Sequence, residues 1–218
     1  MIENFAIIFD MDGVIVDSNP YHKISLKQFA GKYGHDLSEQ QLREKIYGRT
    51  NGEWLKNLFG PLPPEQLHRL AEEKEQIFRE LYQAEIKPIN GLIPFLESIE
   101  QHHIPKAIAT SAPPSNVDFT LNRTGLRHFF KTILDDTFIS HSKPHPEIYL
   151  KAAAALQMPP ERCIVIEDSL SGIKAGKDAG CKVVGITTTH TPEELTDADF
   201  VIIDFSGWDP VALAEKVF

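Results

Sequence analysis

Hydrophobic residues occur in two different patterns along the chain. The apolar run at 5–9 has no polar interruption and is followed by Asp10, Asp12 and Gly13. A run of this length, rich in Ile and Phe, predicts a strand buried on both faces. Between residues 16 and 86, by contrast, apolar residues recur at helical spacing with charges between them. That stretch is predicted to be entirely helical.

Four helices are predicted in this stretch. The first covers 18–34. The second begins at Ser38 with a capping-box pattern and ends at Gly48. The third and fourth cover 54–59 and 65–84. A polar, glycine-flanked loop is predicted over 48–52. After residue 88 short apolar runs alternate with amphipathic stretches. Strands are predicted at 106–110, 132–134, 163–167, 182–186 and 200–203, and helices at 92–101, 115–124, 146–157, 170–179 and 210–217.

The alternation after residue 88 is typical of a parallel α/β sheet. The first strand belongs to that sheet, but a block of helices separates it from the other strands. We therefore predict an α/β fold, with a parallel Rossmann-like core and an inserted all-helical cap domain. The core would comprise residues 1–15 and 87–218, and the cap 16–86.

The composition of the chain limits which binding partners and which cellular location we expect. The 218 residues are 42% hydrophobic, with 31 acidic and 22 basic residues and a net charge of -9. Without a Lys/Arg cluster, nucleic acid and anionic membranes are poor partners. The two cysteines fall in apolar, strand-like surroundings, which is typical of buried thiols in a reducing compartment. We find no signal segment and no apolar run of about 18 residues, and expect a cytoplasmic monomer.

Polar residues stand at the carboxyl ends of three of the predicted strands. Because the carboxyl ends of parallel strands meet at one edge of a sheet, we expect these side chains to lie together. They are Asp10 and Asp12, Thr110 and Ser111, and Glu167 and Asp168, joined by Lys143 from the segment between the second and third pairs. Carboxylates suit Mg²⁺, whereas a lysine, a hydroxyl and backbone N–H groups suit phosphate oxygens. Each residue alone also fits an ordinary turn, strand or helix cap.

Four segments together resemble the ordered motifs of the haloacid dehalogenase superfamily. They are Asp10-Met11-Asp12-Gly13-Val14, Thr110-Ser111, Lys143-Pro144, and the stretch from Glu167-Asp168-Ser169 to Ala175. The order, the spacing and the inserted helical block match over essentially the whole chain. The chain is most similar to the β-phosphoglucomutase-like branch of small phosphatases and phosphomutases, which carry a helical cap at this position.

The resemblance implies a two-step phosphoryl transfer. Asp10 would attack phosphorus to form an aspartyl-phosphate. Asp12 would protonate the leaving oxygen and then deprotonate the attacking water or hydroxyl. Because halide leaves without a proton, the true dehalogenases lack the second aspartate. Asp12 therefore favours phosphate over halide.

The resemblance also implies how metal and phosphate are held. Mg²⁺ would bind the Asp10 side chain, the Asp12 carbonyl and Asp168, with Glu167 nearby. The remaining phosphoryl oxygens would be held by Thr110, the N–H of Ser111 and Lys143.

The predicted cap decides between phosphatase and mutase chemistry. His22 and Lys74 are expected substrate contacts, as are Arg49 and Asn51. Family mutases carry an arginine soon after a cap glycine, where this chain has Asn51. They also have Ser-Lys-Asn where this chain has Ala112-Pro113-Pro114. We therefore expect a Mg²⁺-dependent phosphatase of a small phosphorylated metabolite. The alternatives are a β-phosphoglucomutase-type mutase and a non-catalytic regulatory relative.

Overall fold

The computed structural model describes residues 4–38, 40–41 and 50–218. They form two compact units: Met1–Asp17 together with Ile86–Phe218, and Ser18–Glu85. Within the first unit, Val16 and Pro88 pair in an antiparallel bridge. The chain therefore leaves and re-enters this unit at adjacent points.

Six strands of the first unit form one parallel sheet. They are β1 (Ala6–Phe9), β2 (Lys106–Ala109), β3 (Thr132–Leu134), β4 (Cys163–Glu167), β5 (Lys182–Ile186) and β6 (Phe200–Ile202). Their order across the sheet is β3-β2-β1-β4-β5-β6, and every neighbouring pair is parallel. This confirms the predicted α/β class.

Eight α-helices are assigned among the described residues. The second unit holds α1 (Asn19–Lys32), α2 (Asn51–Phe59) and α3 (Pro64–Tyr82). The first unit holds α4 (Leu92–Gln101), α5 (Pro114–Thr124), α6 (Glu147–Ala155), α7 (Leu170–Asp178) and α8 (Pro210–Val217). In the part of the chain that the structure describes, no helix has both the length and the apolar character that crossing a membrane requires.

β1 lies between β2 and β4 in the sheet, so the carboxyl ends of these three strands are neighbours. Every residue of β1 and of β4 is buried, which explains their uninterrupted apolar sequences. Phe9, the last residue of β1, stands opposite Ile108 of β2 and Ile166 of β4. The residues that follow these three positions therefore emerge side by side at one edge of the sheet.

The helical unit has its own apolar core, formed by Leu26, Phe29, Ala30, Leu37, Trp54, Leu55 and Leu70. The Phe29 and Trp54 rings meet edge to face, with centroids 5.7 Å apart. The loop predicted over 48–52 is corrected at its end, because α2 already begins at Asn51. Thr50 accepts a hydrogen bond from the Glu53 N–H, and the Glu53 carboxylate accepts one from the Thr50 N–H. This capping box starts the helix early.

The predicted helix from Ser38 to Gly48 falls mostly outside the described residues. At its start, the Ser38 N–H donates to Gln41 Oε1 (2.9 Å), and the Gln41 N–H donates to Ser38 Oγ (3.3 Å). These are the two bonds of the predicted capping box.

Candidate active site

Three carboxylates meet at the carboxyl edge of the sheet. Asp10 follows β1, and its backbone N–H donates to the carbonyl of Ile166 on β4 (3.0 Å). Glu167 is the last residue of β4, and Asp168 is next. All three side chains are buried, and each offers an oxygen within 4.8 Å of the others. A cluster of this kind could hold a metal ion.

Lys143 joins this cluster from the segment that leads into α6. Its ammonium donates to Asp10 Oδ1 (2.7 Å) and to Glu167 Oε1 (2.8 Å), with a longer contact to the carbonyl of Ala109 at the end of β2 (3.4 Å). It also lies 4.8 Å from the centre of the Tyr149 ring. One buried cation thus connects the ends of β1, β2 and β4.

Glu167 is fixed by donors on both carboxylate oxygens. Oε1 accepts from Lys143 and from the Tyr149 hydroxyl (2.8 Å). Oε2 accepts from the backbone N–H groups of Asp168 and Ser169 (both 2.9 Å) and from the Ser169 hydroxyl (3.0 Å). The same hydroxyl accepts from the Gly172 N–H (3.0 Å) and caps α7. Glu167 therefore ties Lys143 to the start of that helix.

The cluster holds more acidic groups than basic ones. Burial raises the pKa of the Asp10 carboxyl to about 7, although Lys143 works in the opposite direction. Burial and the nearby Glu167 charge raise the pKa of Asp168 well above its ordinary value. For Glu167, burial is outweighed by Lys143 and by the hydrogen bonds, so its pKa is lowered. One ammonium faces three buried acids, and a divalent cation would supply the missing positive charge.

Thr110 and Ser111, predicted to hold phosphate, follow β2 at the same edge. The Thr110 N–H donates to the carbonyl of Leu134 (2.9 Å), and its hydroxyl accepts from the N–H of Ala112 (3.1 Å). Thr110 is buried, whereas Ser111 is exposed. The turn after β2 thus fixes the Thr110 hydroxyl and leaves Ser111 accessible to solvent.

Asp12 lies in the turn after β1 and is partly exposed. Gly13 follows with φ of 78°, a left-handed conformation that favours glycine. The Thr188 hydroxyl donates to the Gly13 carbonyl (2.5 Å), and the neighbouring Thr189 hydroxyl donates to Asp168 Oδ2. Neither threonine was among the predicted site residues. Both follow β5, so the strand-end argument that found Asp10 could have found them.

The predicted substrate contacts of the helical unit form a polar network there. Lys74 Nζ lies 2.9 Å from His22 Nδ1 and donates to Glu75 Oε1 (3.0 Å). The Asn51 amide also donates to Glu75 Oε1 (2.9 Å) and accepts from Trp54 Nε1 (2.8 Å). Lys74 and Glu75 are each less than 5% exposed. Glu75, which connects the network, was not predicted.

Arg49, the remaining predicted contact, lies outside the described residues. It stays a prediction from the sequence.

The fold and site define a class of enzyme that comparison with known proteins identifies. Residues 7–186 match the family model described as haloacid dehalogenase-like hydrolase. The chain belongs to this family and is an enzyme, as predicted. A phosphorylated carbohydrates phosphatase of Thermotoga maritima is 34% identical over 180 residues, which cover 80% of this chain and 81% of the relative.

Solved structures support the same assignment. A family IA, variant 3 hydrolase of Entamoeba histolytica superposes with a TM-score of 0.89 at 30% identity, covering 98% of this chain and 99% of that one. A β-phosphoglucomutase of Clostridium difficile superposes with a TM-score of 0.84, also at 30% identity, covering 99% and 97%. Phosphatases and phosphomutases are thus both among the relatives.

Proposed function

We propose that the protein is a Mg²⁺-dependent phosphatase that acts on a small phosphorylated metabolite through an aspartyl-phosphate. The observation that carries the proposal is the buried group of Asp10, Glu167 and Asp168 with Lys143 bonded to the first two. It combines a nucleophile, a set of metal ligands and a cation for phosphoryl oxygens at one edge of the sheet. The similarity to a phosphatase of phosphorylated carbohydrates agrees with this chemistry.

Asp10 is the proposed nucleophile. A carboxylate oxygen would form a bond to phosphorus while the bond from phosphorus to the ester oxygen breaks. Asp12, two residues on, would give its proton to the departing oxygen and later accept a proton from the attacking water. The oxygen of that water would then bond to phosphorus while the bond from phosphorus to Asp10 breaks, which releases inorganic phosphate and regenerates the Asp10 carboxylate.

The acidic cluster fits a hard divalent cation. The Asp10 side chain, the Asp12 carbonyl and Asp168 are the proposed Mg²⁺ ligands, with Glu167 adjacent. When bound, Mg²⁺ would neutralise charge on the transferring group. Because five donors already engage the Glu167 carboxylate, we assign it chiefly to holding Lys143 in place.

The groups that would hold the phosphoryl oxygens come from two segments. Lys143 supplies an ammonium, Thr110 a hydroxyl and Ser111 a backbone N–H, which together suit a tetrahedral anion. Burial of Lys143 strengthens its attraction for such an anion. His22, Asn51, Lys74 and Arg49 stay predicted contacts for the rest of the substrate.

A phosphomutase is the second candidate, favoured by the similarity to β-phosphoglucomutase. A mutase must grip a second phosphate while a bisphosphorylated intermediate reorients, and arginine is the side chain best suited to that task. Asn51, at the position of the mutase arginine, is uncharged, and its amide already bonds to Glu75 and Trp54. Ala112-Pro113-Pro114 likewise offers no side-chain cation. Both features favour hydrolysis.

Parallel assays test the choice. With Mg²⁺ and β-glucose 1-phosphate, formation of glucose 6-phosphate and release of inorganic phosphate are measured side by side, with Asp10→Asn as the inactive control. A panel of phosphorylated metabolites then identifies the preferred phosphatase substrate. We expect phosphate release to dominate. Isomerisation that clearly outpaces hydrolysis would contradict the phosphatase assignment.

A monomeric state and a cytoplasmic location stay predictions from composition. Light scattering of the purified protein tests the former. Fractionation of cells that express the chain tests the latter.

A further inference from the structure

We propose that His141, His145 and Glu147 form a second metal site, which takes a transition metal ion of the Zn²⁺ type. The three residues lie in the segment that leads into α6. Each offers one possible ligand atom, and these three atoms lie within 4.8 Å of one another. The proposed phosphatase chemistry uses none of them, so this inference does not depend on that function.

The spacing of two of the groups matches tetrahedral coordination. His141 Nδ1 lies 3.2 Å from Glu147 Oε2. With metal bonds of about 2.0–2.1 Å, two ligands of a tetrahedral Zn²⁺ ion stand about 3.3 Å apart. A metal ion could therefore replace the proton between this nitrogen and this oxygen without a large movement of either side chain.

His145 supplies a third ligand beside this pair. Its ring centre is 4.6 Å from that of His141. Its Nδ1 accepts a hydrogen bond from the backbone N–H of Glu147 (3.3 Å). The Nδ1 lone pair is therefore engaged, and a metal ion would bind either after displacing this N–H or at Nε2 when Nε2 carries no proton. Both imidazoles are exposed, so an ion can reach them and the rings can turn to complete the geometry.

Glu147 is already held in place. Oε2 accepts from the N–H groups of Ser140 (3.1 Å) and His141 (2.9 Å), and Oε1 accepts from Lys151 (2.7 Å). Polar neighbours that orient a ligand before the metal arrives lower the ordering cost of binding. One ligand of the proposed site is thus positioned by the fold itself.

The donor set distinguishes this site from the carboxylate cluster. Imidazole suits Zn²⁺, Cu²⁺ and Ni²⁺, whereas sites built from carboxylates and water suit Mg²⁺. The exposed cluster should therefore retain Zn²⁺ in the presence of Mg²⁺. Lys143 lies between His141 and His145 in the chain, so a metal bound to both histidines would restrain the segment that carries Lys143 into the buried cluster.

Calorimetric titration with Zn²⁺ in excess Mg²⁺ tests the proposal. We expect one equivalent to bind to the wild-type protein, and His141→Ala and His145→Ala each to weaken binding at least tenfold. His190→Ala is the matched control, because His190 also pairs with a glutamate, Glu194, at 3.1 Å, but belongs to neither of the two metal-capable clusters found among the described residues. Circular dichroism checks that every variant is folded.

A second readout follows the restraint itself. Amide hydrogen exchange over residues 140–147 should slow on addition of Zn²⁺ in the wild-type protein and in His190→Ala, but not in His141→Ala. The proposal is overturned if Zn²⁺ does not bind. It is equally overturned if His141→Ala binds as the control does, or if Asp168→Ala loses the Zn²⁺ site while His141→Ala keeps it.

Discussion

Replacement of Gly172 by alanine should disturb the candidate active site from the helix behind it. Gly172 lies in the first turn of α7, and a Cβ atom added there would meet Glu167 Oε1 at 1.7 Å and its carboxyl carbon at 1.9 Å. A free glutamate could move aside at little cost. Glu167 cannot, because five donors fix both of its carboxylate oxygens.

The magnitude follows from the bonds that must be given up. Displacing Oε1 disturbs the bonds from Lys143 and Tyr149, and each hydrogen bond to a charged group contributes about 1.5–3 kcal/mol. The gain in helix propensity from glycine to alanine offsets only about 0.5–1 kcal/mol. We expect Gly172→Ala to lower the free energy of unfolding by about 2–5 kcal/mol. It should also lower the rate of phosphate release, because Lys143 loses one of its two carboxylate partners.

Gly31→Ala is the matched control for this prediction. Gly31 lies in α1, and a Cβ atom there meets no atom within 4 Å, so the change should be neutral or slightly stabilising. Urea unfolding followed by circular dichroism compares the two variants, and release of phosphate from an aryl phosphate reports on the site. If Gly172→Ala is as stable and as active as Gly31→Ala, the reasoning about a pinned Glu167 is wrong.

Three further experiments test the proposed roles of Asp10 and Asp168. Asp10→Asn should abolish turnover without unfolding the protein, because an amide neither attacks phosphorus nor binds Mg²⁺ well; steady-state activity within tenfold of wild type, about 1.4 kcal/mol in barrier, would exclude Asp10 as the nucleophile. Asp168→Ala should weaken metal binding, so that added Mg²⁺ recovers part of the rate; an unchanged metal titration would show that Asp168 is not a ligand. In metal-free protein, folded Asp10 holds its proton to a pH of about 7, whereas its ordinary pKa is 3.8. The folded state then binds more protons between these values, so stability should fall as the pH rises from about 4 to 7. Asp10→Asn should flatten this dependence in urea unfolding across that range, and an equal slope in both proteins would contradict it.

The sequence was sufficient to predict the parts of the fold that depend on local pattern. β1 and β4 are buried on both faces, so their uninterrupted apolar runs predict them as strands. Because parallel strands end at the same edge of a sheet, the acids at their ends were correctly expected to lie together. The bonds that organise the site were not predictable in this way. Tyr149 comes from the face of a helix, and the close approach of Gly172 to Glu167 depends on how α7 packs. Such contacts are set by tertiary packing and leave no periodic signal.

The helical unit shows the same limit. His22, Lys74 and Asn51 were predicted as separate substrate contacts. The structure instead joins them in one hydrogen-bonded network through Glu75. A glutamate next to a lysine on a charged helix resembles any solvated pair in the sequence. Burial of both side chains makes the difference, and the contact partner of Lys74, His22, lies 52 positions away along the chain.

The three acids of the core cluster differ in charge because they differ in partners. Glu167, with five donors, is held as an anion and serves as a fixed anchor for Lys143. Asp10 and Asp168 have raised pKa values because burial removes water without supplying enough positive charge. A protonated Asp10 cannot attack phosphorus. A divalent cation at this edge would favour the charged form of Asp10 and so lower its pKa, which couples metal binding to the presence of the nucleophile. Metal binding would thus raise the fraction of Asp10 that is present as the nucleophilic carboxylate near pH 7.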